Sequence, residues 1–205
     1  MTRTVRARFH SIALVALLLA IAGCAGAPTR TGRASPADLS ELSYWQARGR
    51  LGVSGGGNGG SGSFAWEQRK ERATVQIRGP VGIGSVRLQV SGSAVAPSLK
   101  METGDGQVFQ AEHAWHELEA RLGTQVPAGK LRYWMLGLPA PGEHRWLTDR
   151  AGEMPTLEQD GWRIEYQYAE EFTDEASGAR LPRRIQAASG DARVRIVVDH
   201  WSFDR

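Results

Sequence analysis

Residues 73–90 read Ala-Thr-Val-Gln-Ile-Arg-Gly-Pro-Val-Gly-Ile-Gly-Ser-Val-Arg-Leu-Gln-Val. On either side of the glycine-rich middle the side chains alternate. Val75 and Ile77 stand among Thr74, Gln76 and Arg78, and Val86, Leu88 and Val90 stand among Ser85, Arg87 and Gln89. A period of two means a strand with one apolar face and one wet face, as in antiparallel sheets. Gly79, Gly82 and Gly84 favour a bend between the two runs, and Pro80 has no amide hydrogen to give a ladder. The stretch is therefore strand, bend, strand.

The same alternation recurs outward in both directions. Phe64 and Trp66 alternate with Ala65 and Glu67; Trp162, Ile164, Tyr166 and Tyr168 with Arg163, Glu165 and Gln167; Val194, Ile196 and Val198 with Arg193, Arg195 and Asp199. About eleven segments are expected as strands, near 47–54, 63–69, 73–78, 84–91, 94–102, 106–110, 143–149, 152–159, 161–169, 180–189 and 191–199. Turns such as Gly104-Asp105-Gly106, Asp160-Gly161 and Ser189-Gly190-Asp191 separate them. Consecutive hairpins of this spacing close toward a barrel. Two helices interrupt the strands: 111–122, with Ala114, Trp115, Leu118 and Leu122 at helical spacing and Gly123 to end it, and 129–137, with Leu131, Trp134 and Met135 on one side. A further short helix is expected from Ser35 and Pro36 through Leu39, Leu42 and Trp45. Helices too few to cover so large a sheet can sit inside its concavity.

The amino terminus is an address. Arg3, Arg6 and Arg8 precede an apolar run from Ile12 to Ala22, and small residues lead to Cys24, the one cysteine of the 205 residues. A basic head, an apolar middle and a small-residue cleavage site form a secretory signal peptide, and the run is too short to span a bilayer. Cleavage before Cys24 would free its amino group, and its thiol is the candidate lipid attachment site; several acyl chains are needed for stable anchoring. The expected organisation is a signal peptide over 1–23, a lipidated Cys24 with a flexible tether over 24–35, and one domain over 36–205. No cofactor is expected beyond the covalent lipid.

Charge and composition exclude several function classes. The chain has 25 basic and 22 acidic residues, and three of the arginines leave with the signal, so the remainder is formally neutral and carries no nucleic-acid footprint. With Cys24 acylated no thiol remains for a disulfide, a nucleophile or a metal. His113 and His116 lie three residues apart beside Glu112 and Glu117, but a zinc site needs more ligands than this pair offers. No metal site and no catalytic residue is assigned. The glycine tract from Gly55 to Gly62 lacks the lysine of a phosphate loop and is read as a floppy hairpin loop. Seven tryptophans are present; most fill the core, and Trp66, Trp134 and Trp162 are candidates for lining a cavity. The bend at 79–85 holds Val81 and Ile83 where turns usually carry polar side chains. Either they fold back onto the end of the barrel, or they form an apolar finger that touches acyl chains or a membrane.

These residues, taken in order, resemble a known family. The lipobox at Cys24, Trp45-Gln-Ala-Arg48-Gly49, Phe64-Ala-Trp66, Gly79-Pro80-Val81-Gly82, Leu131-Arg-Tyr-Trp134-Met-Leu-Gly-Leu-Pro139, Trp162-Arg-Ile-Glu-Tyr166 and the terminal Asp199-His-Trp201 are similar to the LolB family of outer-membrane lipoprotein receptors. The stretch from Leu131 to Pro139 is the most specific. The resemblance implies an incomplete antiparallel barrel of about eleven strands with helices plugging an apolar cavity. It also implies a lipid-anchored, monomeric protein on the periplasmic side of the outer membrane. Such a protein takes acylated lipoproteins from a LolA-like periplasmic carrier and inserts them into the inner leaflet of the outer membrane. Ala25, where an aspartate would favour inner-membrane retention, fits the outer membrane. The family's projecting loop leucine corresponds to Val81, one methylene smaller, and Ile83 is a candidate to share its role.

Three other classes compete. One is an envelope lipoprotein that binds a free lipid or other small apolar ligand. Another is a structural envelope lipoprotein whose sheet edge binds a protein. The last is a hydrolase, for which no nucleophile and base are found, so the protein is not expected to be an enzyme.

Overall fold

The alternation at 73–90 becomes a pair of antiparallel strands, β3 (Arg72–Arg78) and β4 (Ser85–Gly92), with Val75 opposite Leu88 and Ile77 opposite Val86. The computed structural model describes residues 39, 42–79, 84–148, 155–173 and 180–203. Around this pair stand β1 (Tyr44–Gly55), β2 (Asn58–Arg69), β5 (Pro97–Thr103) and β6 (Val108–Gln110). After the helices α1 (Ala111–Leu122) and α2 (Ala128–Met135) come β7 (Arg145–Thr148), β8 (Pro155–Gln159), β9 (Trp162–Thr173), β10 (Arg180–Ser189) and β11 (Ala192–Phe203).

All eleven strands form one antiparallel sheet in the order β6-β5-β4-β3-β2-β1-β11-β10-β9-β8-β7. The first strand pairs with the last, Leu51 opposite Ile196 and Val53 opposite Val194. The sheet is not closed. Its edges, β6 and β7, are 3 and 4 residues long, and short edge strands limit pairing with other chains. The chain crosses from one edge to the other through α1 and α2. Mostly β, an open antiparallel barrel with helices, is the expected architecture.

Where backbones crowd, glycine is required. At the β1–β11 register shift between Arg48 and Gly49, a Cβ on Gly49 would lie 2.0 Å from the Val197 carbonyl oxygen. Helix α1 ends on Gly123 at φ 69°, whose amide donates to the Glu119 carbonyl at 2.8 Å, the left-handed cap expected of it.

Three expectations need correction. Trp45, expected on a helix, lies in β1. It packs 5.5 Å from Trp66 and 5.5 Å from Trp201 on the two flanking strands, and burial between two neighbours outweighs the weak preference of a short helix. Of the rest of that expected helix, Leu39 is helical and buried, Leu42 is outside it, and most positions fall outside the described residues. The glycine tract is not a floppy loop. Gly56 and Gly57, at φ 55° and 80°, make a two-residue hairpin turn between Gly55 and Asn58, and the tract from Asn58 onward is strand. A Cβ on Gly62 would sit 2.3 Å from the Arg78 carbonyl oxygen, so the residue serves strand approach. Strand β5 begins at Pro97, and residues 94–96 form a bend.

Candidate functional site

The apolar faces of β1, β2, β3, β4 and β11 point into the concavity. Leu51, Phe64, Trp66, Val75, Leu88 and Ile196 form one wall of a pocket, and Leu118 and Leu122 of α1, Val126, Ala128, and Leu131 and Met135 of α2 form the other. Every lining residue is apolar, and a cavity so lined stays dry. Its deep side is closed by buried Phe64, Trp66 and Met135, whereas Leu51, Val53, Ile77, Leu122, Val126 and Leu131 are half-buried and form an apolar rim.

The volume of this pocket is about 90 Å³. An apolar cavity of roughly 150 Å³ is what accepts a benzene ring. A long acyl chain therefore enters only if a wall moves. The two helical walls are held differently. On α2, Trp134 Nε1 donates to Gln159 Oε1 at 3.0 Å, and the same oxygen accepts the Ala140 amide at 3.0 Å. Gln159 Nε2 donates back to the Ala140 carbonyl at 2.8 Å, and Lys130 pairs with Asp160. The link between the helices, 123–127, is bonded locally: Ala128 N donates to the Val126 oxygen at 2.8 Å, and Gln125 Nε2 donates to Glu119 Oε2 at 3.2 Å.

Leu118, Val126 and Ala128 also line a second, open groove of about 510 Å³. Its other residues include Val95, Pro97, Trp115 and Trp162, with Glu119 and Asp160 at its side. Val95 is 77% exposed. The helix link is thus a partition between a dry pocket and a wetter groove.

Titratable groups lie away from the pocket wall. The Arg145 hydrogen bond holds the Glu158 carboxyl below its ordinary value, helped by Arg163. A hydrogen bond from Thr103 does the same for Asp105. Burial pushes the Tyr166 phenol well above its ordinary value, and its oxygen has no hydrogen-bond partner. Among the described residues there is no group of three or more metal-ligating side chains and no helix long and apolar enough to cross a membrane. His113 and His116 are exposed on α1, with His116 3.8 Å from Glu112.

The candidate residues are placed as follows. Trp66 lines the pocket. Trp134 is buried behind it, held by Gln159 and 6.0 Å from Trp162. Trp162 lines the outer groove. Cys24, Val81 and Ile83 lie outside the described residues. Gln159 is a polar residue that sequence reading did not single out; in the pattern it is one more alternating strand position, and its three partners are revealed only by packing.

An open antiparallel half-barrel folded around a dry pocket, with helices as one wall, defines a carrier of apolar chains. The family model of the outer membrane lipoprotein LolB matches residues 43–201. An outer-membrane lipoprotein LolB of Pseudomonas aeruginosa is 36% identical over 196 residues, covering 90% of this chain and 91% of that protein. One from Pseudomonas putida is 33% identical over 204 residues, covering 94% and 95%. Among solved structures, a DUF1329 family protein from Desulfovibrio piger covers 82% of this chain and 89% of its own at a TM-score of 0.49 and 8% identity. The chain belongs to the LolB family of outer-membrane lipoproteins.

Proposed function

We propose that this protein receives acylated lipoproteins from a periplasmic carrier and releases them into the inner leaflet of the outer membrane, where lipid on Cys24 anchors it. The observation that carries the reading is the pocket walled entirely by apolar side chains inside an open half-barrel. Each methylene removed from water contributes about 0.8 kcal/mol, so acyl chains crossing an aqueous space need such a shelter. Transfer between two similar pockets is nearly balanced. A small preference of receptor over carrier then sets direction, and the bilayer is the final sink. The protein acts as a monomeric chaperone and not as an enzyme. In this reading residues 24–35 are the tether, the domain over 36–205 holds the cargo, Trp66 touches the chains, and Val81 and Ile83 form the delivering tip.

The test is depletion of the protein in cells, followed by locating other lipoproteins. Their accumulation in the periplasm on a soluble carrier is expected. Unchanged delivery, together with a free phospholipid copurifying in the pocket, would replace this reading with that of a small apolar ligand carrier.

A further inference from the structure

The outer face of the sheet carries a feature the pocket does not use. Arg193 and Arg195 of β11, Arg50 of β1 and Arg78 of β3 all alternate with inward-facing apolar residues, so all four point outward, and all are exposed. Register brings them together. Arg195 stands opposite Gly52 and Arg193 opposite Ser54. Arg50 stands opposite Ser63, which in turn faces Arg78. With strands about 4.8 Å apart, Arg50 and Arg78 are roughly 10 Å from each other. Between them lie Gly52, Ser61 and Ser63, with Val197 opposite Arg50.

Two nearby carboxylates have partners, and Glu165 lies across Gln186 from Arg195. Asp199 reaches Arg50 at 3.4 Å, and Asp191 accepts the Gly56 amide at 2.9 Å. Arg78 and Arg195 make no ion pair among the described residues. On the same face Arg48, Arg50 and Arg78, with Glu67 and Asp199, line a shallow hollow of about 620 Å³. A chain that is formally neutral without its signal thus concentrates cations over a smooth small-residue floor, at the end of the barrel from which the β3–β4 connection leaves.

We infer that this arginine face rests on the anionic phospholipid headgroups of the membrane that receives the cargo. Charge complementarity argues for the occupant: guanidinium matches phosphate with paired donors. Small residues between the arginines let a flat headgroup layer approach the backbone. The inference deepens the delivery reading and rests on it, because it holds the domain against the receiving bilayer by the face opposite the pocket.

The experiment uses the full acylated chain, anchored in vesicles, with a donor dye on Ser61→Cys and an acceptor on the lipid headgroups. Energy transfer is expected to be high in phosphatidylethanolamine with phosphatidylglycerol and low in phosphatidylcholine alone. Each arginine near an anionic surface is worth about fivefold in docking. The triple variant Arg50→Gln, Arg78→Gln, Arg195→Gln should therefore lower the docking equilibrium about a hundredfold, with an unchanged thermal melt. Equal transfer in both vesicles, or transfer indifferent to the triple variant, overturns the inference. If transfer is indifferent while acceptance from the carrier slows, the face binds an acidic protein instead, and the headgroup assignment is overturned. Insertion of a fluorescent acylated lipoprotein is followed in the same vesicles. Its absence with Ser61 transfer intact would refute the delivery reading alone.

Discussion

Filling the pocket separates a binding cavity from a packing defect. Ala128 is half-buried at the start of α2 and lines the pocket with Leu131 and Met135. Ala128→Leu adds three carbon atoms to that space. Empty cavity costs about 24 cal/mol per Å³, so abolishing the pocket of about 90 Å³ would gain at most ~2 kcal/mol. Strain in a close-packed wall offsets part of this, and a net gain of about 1 kcal/mol is expected. For a domain of this size that raises Tm by about 2–4 °C. The assay is calorimetry on a soluble chain beginning at Ser35, paired with titration of a fluorescent apolar probe. The probe should bind at least tenfold more weakly, and lipoprotein transfer should slow in parallel, because the leucine occupies the space the acyl chain needs. A raised Tm with unchanged probe affinity and transfer would refute the assignment of the pocket. If Tm falls, leucine overfills the site, and Ala128→Val decides the same question with less volume.

Gln159→Leu leaves the Trp134 indole N–H and both Ala140 backbone groups buried without partners; at about 1–3 kcal/mol for each orphaned group, a loss of roughly 3 kcal/mol or more is expected in denaturant unfolding. Tyr166→Phe removes a buried hydroxyl that has no partner, so it should leave the melt at neutral pH unchanged or raised. Because burial raises the Tyr166 pKa above its ordinary 10.0, only the unfolded state releases this proton as pH climbs past that value, and stability falls there; a pH series of melts should show the fall in the parent protein and a shallower one in Tyr166→Phe. Val81→Glu with Ile83→Glu should keep the melt within about 0.5 kcal/mol and preserve cargo acceptance while release into vesicles fails, and a large drop in Tm would place the pair in the core instead. Cys24→Ala should leave an uncleaved, unacylated precursor, read by mass spectrometry of the amino terminus.

Local chemistry is legible residue by residue. A single cysteine after a basic and apolar leader reads as a candidate lipid attachment site without any tertiary context. Strict alternation in Val86-Arg-Leu88-Gln-Val90 or Val194-Arg-Ile196 makes a strand with one wet face whatever lies beside it, and helix α1 with its Gly123 stop is written in spacing and one left-handed residue. Tertiary structure decided whatever depends on partners far along the chain. Trp45 had helical spacing to Leu39 and Leu42, yet β2 and β11 claim it from both sides. The glycine tract looked like slack chain until the crowding of β3 against Gly62 became visible. Trp134 sits in α2 between Leu131 and Met135, which line the pocket, but its indole points to Gln159, 25 residues away. Neighbours in sequence set a residue's periodicity. Only the closing of β1 on β11, and the helices that cross from β6 to β7, decide which apolar side chains become core and which are left around an empty pocket.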